Sequence, residues 1–508
     1  MAALLTDYLD ESAELLANYA APAAAILSHP IPPRPWDGAL ADEMTRYQTL
    51  LGAPKDVDGN AGVFITGQQP GIFTGPLYTI YKAITALQLS ERATKDTNET
   101  FAPVYWVGGD DHDFDEISRV HLLTKHHSAV PLKLDAEANQ PAVSIFRLPA
   151  QKELHALVDQ AAAEAPGSEF APSIAEFLHE SLEASSNLSE WHARLMARLF
   201  RDTPLLIFTP ELQAARKAAI PVFEREIEMP LDSTARLNEG GVRLEEAGYG
   251  AQVVKDGDNC NFFVEHKNMR CRVRYVDGNF LLPDTGEKFS PNAMLDWLHQ
   301  EPERFTANVA LRCVVQQHLF PVRAYVAGPG ELAYWGQLKG VFEHFDTPMP
   351  IVYPRIRAVL TSLKTNKLLA KYGLRPEDLN LPVAALEETA LRSGQQDPSL
   401  ALLEKRRAAL NEVLQGLQAD FDALGKKGRG GAALAAQFSG QVQQSMVHLE
   451  QNLLRADKTR TETVRRQIAR LTTELAPERK PQERYYTLFS WLFHYGWDLI
   501  PTLVEQLD

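Results

Sequence analysis

The sequence predicts an α/β fold: a mainly parallel β-sheet covered by helices on both faces, with inserted segments and an antiparallel pair of long helices. Short apolar runs end in glycines or polar residues, and segments of helical periodicity separate them. The uneven spacing of these runs indicates insertions, and a three-to-four-residue apolar repeat beyond residue 380 indicates the long helices. The candidate core strands are residues 61–66, 101–109, 204–210, 322–328 and 349–354.

The bulk composition excludes several classes of protein. A hydrophobic content of 45% and a charged content of 23% over 508 residues are typical of a globular protein. The net charge of −15 argues against nucleic acid and anionic membranes as partners. We find no apolar stretch of about 18 residues, so no membrane span is expected. The N-terminus lacks the basic run of a signal peptide and the three cysteines form no CxxC pair, which predicts a cytoplasmic protein.

The first strand is preceded by predicted helices over residues 1 to about 55 and is followed by a glycine-rich loop and a helix. Amides at the start of a helix bind anions, and glycines let an anion approach closely. The stretch matches neither the dinucleotide fingerprint nor the P-loop, so a plain tight loop is the alternative. Gln68 and Gln69, whose amides need partners, favour a ligand site. The candidate binding residues are Gly67, Gln68, Gln69, Gly71, Thr74, Gly75, Tyr78 and Lys82.

The second strand ends in an acidic cluster, GGDDHDFDE, over residues 108–116. Carboxylates this close repel one another, so they need compensation. A solvated loop, a Mg²⁺ site completed by substrate phosphates, and an ammonium site with His112 or a neighbouring aspartate as general base all satisfy this need. The residues alone do not separate the last two. Asp111, His112 and Asp113 are the candidate catalytic residues, and Asp110 is a candidate binding residue.

Two intervals between the core strands contain the insertions. Residues 118–150 have β character, and residues 151–200 have helical character. A helix is predicted near 211–237, and alternating apolar and polar residues over about 250–300 predict a small antiparallel sheet.

The fourth strand is flanked by a third group of candidate residues. Arg312 and Gln316 lie four positions apart, on one face of a predicted helix. Gly328, Gly330, Glu331 and Tyr334 follow the strand, and Arg355 follows the last strand. These side chains can face phosphates or a base; burial in the core, or a solvated helix face for Arg355, is the alternative.

The chain beyond the core divides into an arm and a terminal segment. Residues 1–380 are predicted to form the core, 381–476 a helical coiled-coil arm that reverses at GKKGRGG, and 477–508 an aromatic segment that packs back on the core. A charged surface between the apolar positions favours a projecting arm over helices that merely cover the core.

Several stretches together resemble the bacillithiol cysteine ligase family, BshC. They are TGQQPGIFTGPLYTIYKA, PVYWVGGDDHDFDEI, NVALR with the following VQ, YVAGPGELAYW, MPIVYPR and PQERYYTLFSWLFHYG. Their order and spacing also match, so the resemblance covers nearly the whole chain. Cys313 departs from the pattern, since the family has proline there.

The resemblance implies a Rossmann-like core with inserted connecting segments and a coiled coil that forms a homodimer. It also implies an activity: the cysteine carboxyl group is joined to the amine of glucosaminyl-malate, with ATP as the expected cofactor and Mg²⁺ as a further candidate. Residues 67–82 would then hold phosphate, His112 and Asp113 would handle the amine, and Arg312 or Arg355 would bind carboxylates or phosphates. A magnesium-dependent phosphotransfer or hydrolytic enzyme and a non-catalytic nucleotide-binding scaffold are the alternatives.

Overall fold

The computed structural model describes residues 2–135, 143–150, 152–165, 168–393, 398–425, 429–456 and 458–507. By its internal contacts the chain forms two compact units. The core unit comprises Met1–Lys125, Ala129–Ala358 and Glu483–Asp508, and the helical unit comprises His126–Ser128 and Val359–Gln482. The boundaries therefore fall at 358/359 and 482/483, whereas the sequence placed them at 380/381 and 476/477.

The strands of the described residues form three sheets. In chain order they are β1 (Gly62–Gln68), β2 (Phe101–Val107), β3 (Arg119–Leu123), β4 (Ala129–Lys133), β5 (Leu206–Phe208), β6 (Asn259–His266), β7 (Met269–Val276), β8 (Asn279–Leu282), β9 (Glu287–Phe289), β10 (Phe305–Ala307), β11 (Val322–Ala327) and β12 (Ile351–Pro354).

The α-helices of the core unit surround these sheets. They are α1 (Ala2–Leu9), α2 (Ala13–Leu16), α3 (Gly38–Leu50), α4 (Tyr78–Thr97), α5 (Phe114–Ile117), α6 (Glu153–Glu164), α7 (Ala171–Glu183), α8 (Leu188–Leu199), α9 (Gln213–Ala218), α10 (Ile220–Glu228), α11 (Asp232–Glu246), α12 (Pro291–Gln300), α13 (Val309–Leu319), α14 (Pro329–Trp335) and α15 (Lys339–His344).

The helical unit contains five α-helices within its described residues, and the chain then returns to the core unit. The five are α16 (Leu363–Tyr372), α17 (Val383–Ser393), α18 (Pro398–Ala423), α19 (Arg429–Ala456) and α20 (Lys458–Leu475), and the returning segment carries α21 (Phe489–Tyr495) and α22 (Leu499–Gln506).

The central sheet is parallel, with the order β12-β11-β1-β2-β5. All five strands coincide with predicted apolar runs, so the predicted α/β core is confirmed. The chain runs outward from β1 through β2 to β5, and then crosses back to place β11 on the other side of β1. This is the doubly wound order of a Rossmann-like fold, and its direction changes between β1 and β11.

The strands are apolar on both sides because helices cover both faces of the sheet. Val63, Phe64 and Ile65 of β1 are fully buried, as are Val104 and Tyr105 of β2. Alternation is therefore absent from the inner strands, as expected for a parallel sheet.

The insertions form the other two sheets. Strands β3 and β4 make an antiparallel hairpin within the predicted range 118–150. The second insertion forms an antiparallel sheet of order β10-β6-β7-β8-β9. The single helix predicted near 211–237 is wrong: three helices, α9 to α11, occupy this region, because Pro221 and Pro230 cannot donate the backbone bonds that a continuous helix needs.

In the helical unit, α18 and α19 pack antiparallel. Arg407 pairs with Glu450, and Phe421 lies against Gly431 at the other end of the pair. Of the predicted reversal, residues 426–428 lie outside the described residues. Not all of the predicted arm belongs to this pair: Val464, Ile468, Leu471 and Leu475 of α20 are buried against α16 and α17.

The returning segment closes the core unit. Tyr486 accepts a backbone hydrogen bond from Leu77, and the Thr487 hydroxyl donates to the carbonyl oxygen of Phe73 at 2.7 Å. None of the described helices is long and apolar enough to cross a bilayer.

Candidate functional site

A cavity of about 640 Å³ opens at the carboxyl ends of β1, β2 and β11. The chain changes direction between β1 and β11, and open α/β sheets bind ligands at such a position. A second cavity, of about 720 Å³, lies in the helical unit and contains none of the strand-end residues. The predicted site residues that line the first cavity are Gly67, Gln68, Gln69, Tyr78, Lys82, Asp110, Asp111, His112, Arg312, Gly328, Gly330, Glu331, Tyr334 and Arg355.

The loop after β1 is held by Lys82, which reaches back from α4. Its ammonium group donates to the carbonyl oxygen of Gly67 at 2.8 Å and to Oε1 of Gln68 at 3.0 Å. It also pairs with Oε2 of Glu331 at 2.5 Å, and its side chain is 2% exposed. Burial lowers the pKa of Lys82, and Glu331 opposes this effect. The positive charge expected to face phosphate is therefore balanced inside the protein, and Lys82 ties the ends of β1 and β11 together.

Three predicted loop residues do not line the cavity. Thr74 is fully buried and its hydroxyl donates to the carbonyl oxygen of Phe73. Gly71 and Gly75 pack against each other, and Gly75 has a φ of +71°, which favours glycine. These residues shape the turn into α4, so their effect on the site is indirect.

The acidic cluster is compensated mainly by protein groups. Arg216 of α9 binds Asp110 with both terminal nitrogens, at 2.5 and 3.1 Å. The Asp113 side chain accepts a hydrogen bond from the backbone N–H of Glu116 and so caps α5. Asp113 does not line the cavity, contrary to its predicted catalytic position.

Gln69 bridges the two remaining cavity carboxylates of the cluster. Its side-chain nitrogen donates to Asp111 at 2.7 Å and to Glu116 at 2.8 Å. Burial opposes ionisation of Asp111, but Arg270 and Gln69 bring the pKa of Asp111 below its ordinary value. Burial and the neighbouring aspartates raise the pKa of Glu116. The pair therefore offers one carboxylate that stays ionised and one that takes up a proton more readily.

His112 contacts a buried arginine from the second insertion. Arg270 of β7 donates from Nη1 to Nδ1 of His112 at 2.8 Å. Burial, and next the charge of Arg270, lower the pKa of His112. Both effects favour the neutral imidazole over the imidazolium.

The opposite wall of the cavity contains Arg312, which donates to the hydroxyl of Tyr334 at 2.8 Å. Tyr325 donates in turn to Glu331 at 2.6 Å. Gln316 does not line the cavity: it is 1% exposed, and neither polar atom of its amide has a hydrogen-bond partner among the described residues. Arg355 lines the cavity, but its guanidinium is bound by both oxygens of Glu483, at 2.7 and 2.8 Å.

Several residues of the cavity wall were not predicted, namely Arg216, Lys255, Arg270, Asn308, Glu116 and Arg484. Glu116 belongs to the predicted acidic cluster, so the argument that selected Asp110 and Asp111 applies to it as well. Arg270 stands in the alternating run MRCRVRYV, where a basic side chain on the inner face of a small sheet is the only sequence signal. Burial lowers the pKa of Lys255 to about 8, although Glu226 opposes this.

The cavity wall is basic in an acidic protein. Among the described residues it contains seven lysines and arginines but four carboxylates. Lys82, Arg216 and Arg355 are paired with carboxylates. Lys255, Arg270, Arg312 and Arg484 form no ion pair within the described part of the chain, so their charges are available to an anionic ligand.

The described residues contain no group of three or more His, Cys, Asp and Glu side chains placed to hold a metal ion. The acidic cluster is thus no protein-only metal cage. Mg²⁺ is usually held by one or two carboxylates together with substrate phosphates. Its presence here stays a prediction.

Comparison with known proteins identifies relatives over almost the whole chain. Residues 48–356 match the family described as "Bacillithiol biosynthesis BshC, N-terminal Rossmann-like domain", and residues 358–508 match its "C-terminal coiled-coil domain". The chain is 35% identical over 469 residues to the "Putative cysteine ligase BshC" of Salinibacter ruber, which covers 92% of this chain and 83% of that protein. The protein of the same name from Prosthecochloris aestuarii is 32% identical over 461 residues, with 87% and 79% covered. That from Exiguobacterium sibiricum is 29% identical over 476 residues, with 92% and 87% covered.

Proposed function

Because the chain belongs to the BshC family of bacillithiol biosynthesis, we propose that it is a ligase that joins the carboxyl group of L-cysteine to the amine of glucosaminyl-malate. The observation that carries this proposal is that one cavity presents groups of both signs. Its wall contains carboxylates, which suit an ammonium group, and cations that form no ion pair within the described residues, which suit carboxylates or phosphates. An amine substrate that also bears two malate carboxylates needs both kinds of group.

The carboxylates of the cavity support the handling of the amine. An amine attacks only in its neutral form, so an ammonium group must be bound and then lose a proton. Asp111, with its lowered pKa, stays charged and attracts the ammonium group. Glu116, with its raised pKa, is the better proton acceptor. We therefore assign the role of base to Glu116. This differs from the expectation that His112 and Asp113 handle the amine.

Cations of the cavity that form no ion pair in the described part of the chain support recognition of malate. Arg312 forms no ion pair within the described residues, and guanidinium groups bind carboxylates through two parallel hydrogen bonds. Lys255 lines the same cavity, and within the described residues its ammonium group donates only to the carbonyl oxygen of Cys260, at 2.8 Å. These two cations can meet the two carboxylates of the malate group.

ATP fits the charge of the cavity, since four cations there have no carboxylate partner within the described residues. Arg484 and the loop of Gly67 to Gln69 are the residues that would hold its phosphates. ATP, when bound, supplies the energy that activates a carboxyl group. The residues of the chain bind and orient the reactants and receive the proton of the amine.

We further propose that the protein is a cytoplasmic homodimer formed through α18 and α19. Several apolar side chains of this helix pair are exposed, and a second copy would cover them. They are Leu402, Val413, Leu424, Leu434, Phe438 and Leu449. The three cysteines are free and buried, which supports a reducing compartment.

The test is incubation of the purified protein with cysteine, glucosaminyl-malate, ATP and Mg²⁺, followed by mass spectrometry of thiols. We expect a product with the mass of the cysteine amide, and loss of about 10²-fold in kcat/KM for Arg312→Gln. Arg236→Gln, an exposed variant outside the cavity, is the matched control. Phosphate release without cysteine incorporation would favour the phosphotransfer alternative, and ligand binding without any product would favour the scaffold.

A further inference from the structure

We propose that His112 is a hydrogen-bond donor in the ligase reaction, fixed by Arg270 as the neutral imidazole with its proton on Nε2. The proposal rests on the proposed function for the identity of the reaction. The tautomer itself rests on geometry alone. Arg270 acts through His112 and is a positioning residue.

The contact between Arg270 and His112 determines which ring nitrogen carries the proton. A guanidinium group has only N–H donors and no acceptor. Arg270 Nη1 lies 2.8 Å from Nδ1 of His112, so Nδ1 must supply the lone pair. A neutral imidazole whose Nδ1 accepts carries its proton on Nε2.

Arg270 cannot easily turn away from the histidine. Its Nε donates to the hydroxyl of Thr306 at 3.0 Å, and its Nη2 donates to the carbonyl oxygen of Ala307 at 3.2 Å. The guanidinium lies 3.7 Å from the ring centre of Phe263, and Arg270 is 7% exposed. These contacts come from β6 and β10, so the antiparallel sheet sets the position of the donor.

The charges around the imidazole support the neutral form. Asp111 and Asp113 favour the imidazolium, with Asp111 Oδ1 lying 3.6 Å from Nδ1. Arg270 and Arg272 oppose it, and burial opposes it most strongly, so the pKa of His112 falls below its ordinary value. In the imidazolium form Nδ1 would also carry a proton, and this N–H would face the N–H donor of Arg270.

Nε2 of His112 is free to serve a substrate. His112 lines the cavity, and its Nε2 makes no hydrogen bond within the described residues. The amine attacks a carboxyl group that ATP would have activated: the C–N bond forms, the bond from the carboxyl carbon to the oxygen of its phosphate-containing leaving group breaks, and that group departs with the electron pair. The amine proton goes to a carboxylate, for which Glu116 is placed. A donor aimed at the oxygen that gains charge lowers the barrier, and loss of one such donor typically reduces kcat about 10²- to 10³-fold.

The tautomer can be measured without any activity. The protein is labelled with ¹⁵N-histidine and its imidazole nitrogens are observed by NMR. The signals that are absent from the spectrum of His112→Gln are those of the His112 ring. We expect an Nε2–H tautomer at pH 7 to 8, and its loss in Arg270→Gln. Arg274→Gln, on the same strand but paired with Asp258, should leave the spectrum unchanged. An Nδ1–H tautomer or an imidazolium at pH 7 would overturn the proposal whether or not the protein is a ligase.

Measurements of turnover then show whether His112 acts as a hydrogen-bond donor or as the base. The Gln side chain can donate from a position near that of Nε2, but it cannot accept a proton at neutral pH. A donor role predicts that His112→Gln keeps kcat within about 10-fold while His112→Ala loses about 10²-fold or more. Equal loss in both variants, with the acid limb of the pH profile gone, would show that His112 is the base. Absence of product from wild-type protein would refute the proposed function and leave the spectroscopic result standing.

Discussion

Removal of Arg216 should destabilise the core unit, because its charge compensates Asp110 in a nearly closed site. The side chains of Arg216 and Asp110 are 7% and 17% exposed and share two hydrogen bonds. Arg216→Met leaves the carboxylate of Asp110 unpaired beside Glu211, whose pKa burial and Asp110 already raise to about 7. Loss of one partner from such a buried pair costs about 3–5 kcal/mol.

Asp110→Asn in the same chain removes the stranded charge. We expect the double variant to recover about 1.5 kcal/mol or more of the free energy of unfolding. Urea unfolding followed by tryptophan fluorescence measures this directly, since all seven tryptophans lie in the core unit. Arg225→Met, which breaks a surface pair with Asp346, should cost less than about 1 kcal/mol.

A change in the free energy of unfolding of Arg216→Met no larger than that of the surface control would contradict this role of Arg216. A double variant no more stable than Arg216→Met would contradict it as well. Either result would mean that water or a rearranged side chain compensates Asp110 without help from Arg216.

Three further predictions concern other parts of the molecule. Burial raises the pKa of Glu226 to about 7, so the stability that its protonated form contributes is complete below a pH of about 4.5 and is lost as the pH rises through 7. Between these pH values the stability of Glu226→Gln relative to wild type should therefore rise by on the order of 3 kcal/mol. A stability difference that does not change with pH in urea unfolding would contradict this. Lys82→Met strands Glu331 and should lower the urea midpoint by the equivalent of about 3 kcal/mol, with partial recovery in a chain that also carries Glu331→Gln. Phe438→Asp should convert the proposed dimer to monomer in light scattering, whereas Val254→Asp, at a still more exposed apolar position in the core unit, should not.

The sequence predicted which loops line the cavity where the parallel strands themselves bring those loops together. Parallel strands bring their carboxyl ends to one edge, so the loops of Gly67 and of Asp110 had to meet. The compensation of Asp110 was not predictable, because Arg216 is 106 residues away and reaches it only through the packing of α9. The crowded carboxylates are therefore compensated by a tertiary contact between residues that are far apart in the sequence.

Helical spacing was a poor guide on α13. Arg312 and Gln316 share a face by periodicity, but only Arg312 reaches the cavity. Almost every side chain of α13 is buried, so polarity along the helix does not indicate which buried side opens to a ligand. Arg270 was missed for a related reason: its role depends on how the second insertion folds over the strand ends, and periodicity within one strand carries no such information.

The returning segment makes the cavity depend on residues that follow the helical unit in the sequence. Tyr486 and Thr487 bond to the turn at Phe73 and Leu77, and Glu483 neutralises Arg355 at the cavity wall. During translation, residues 62–358 emerge and can begin to fold well before these partners exist. A chain that ends before residue 483 thus has an unpaired arginine and an unanchored turn at the cavity wall. The residues that complete this wall are translated more than 100 residues after the strand-end loops, so such truncated products would carry an incomplete cavity.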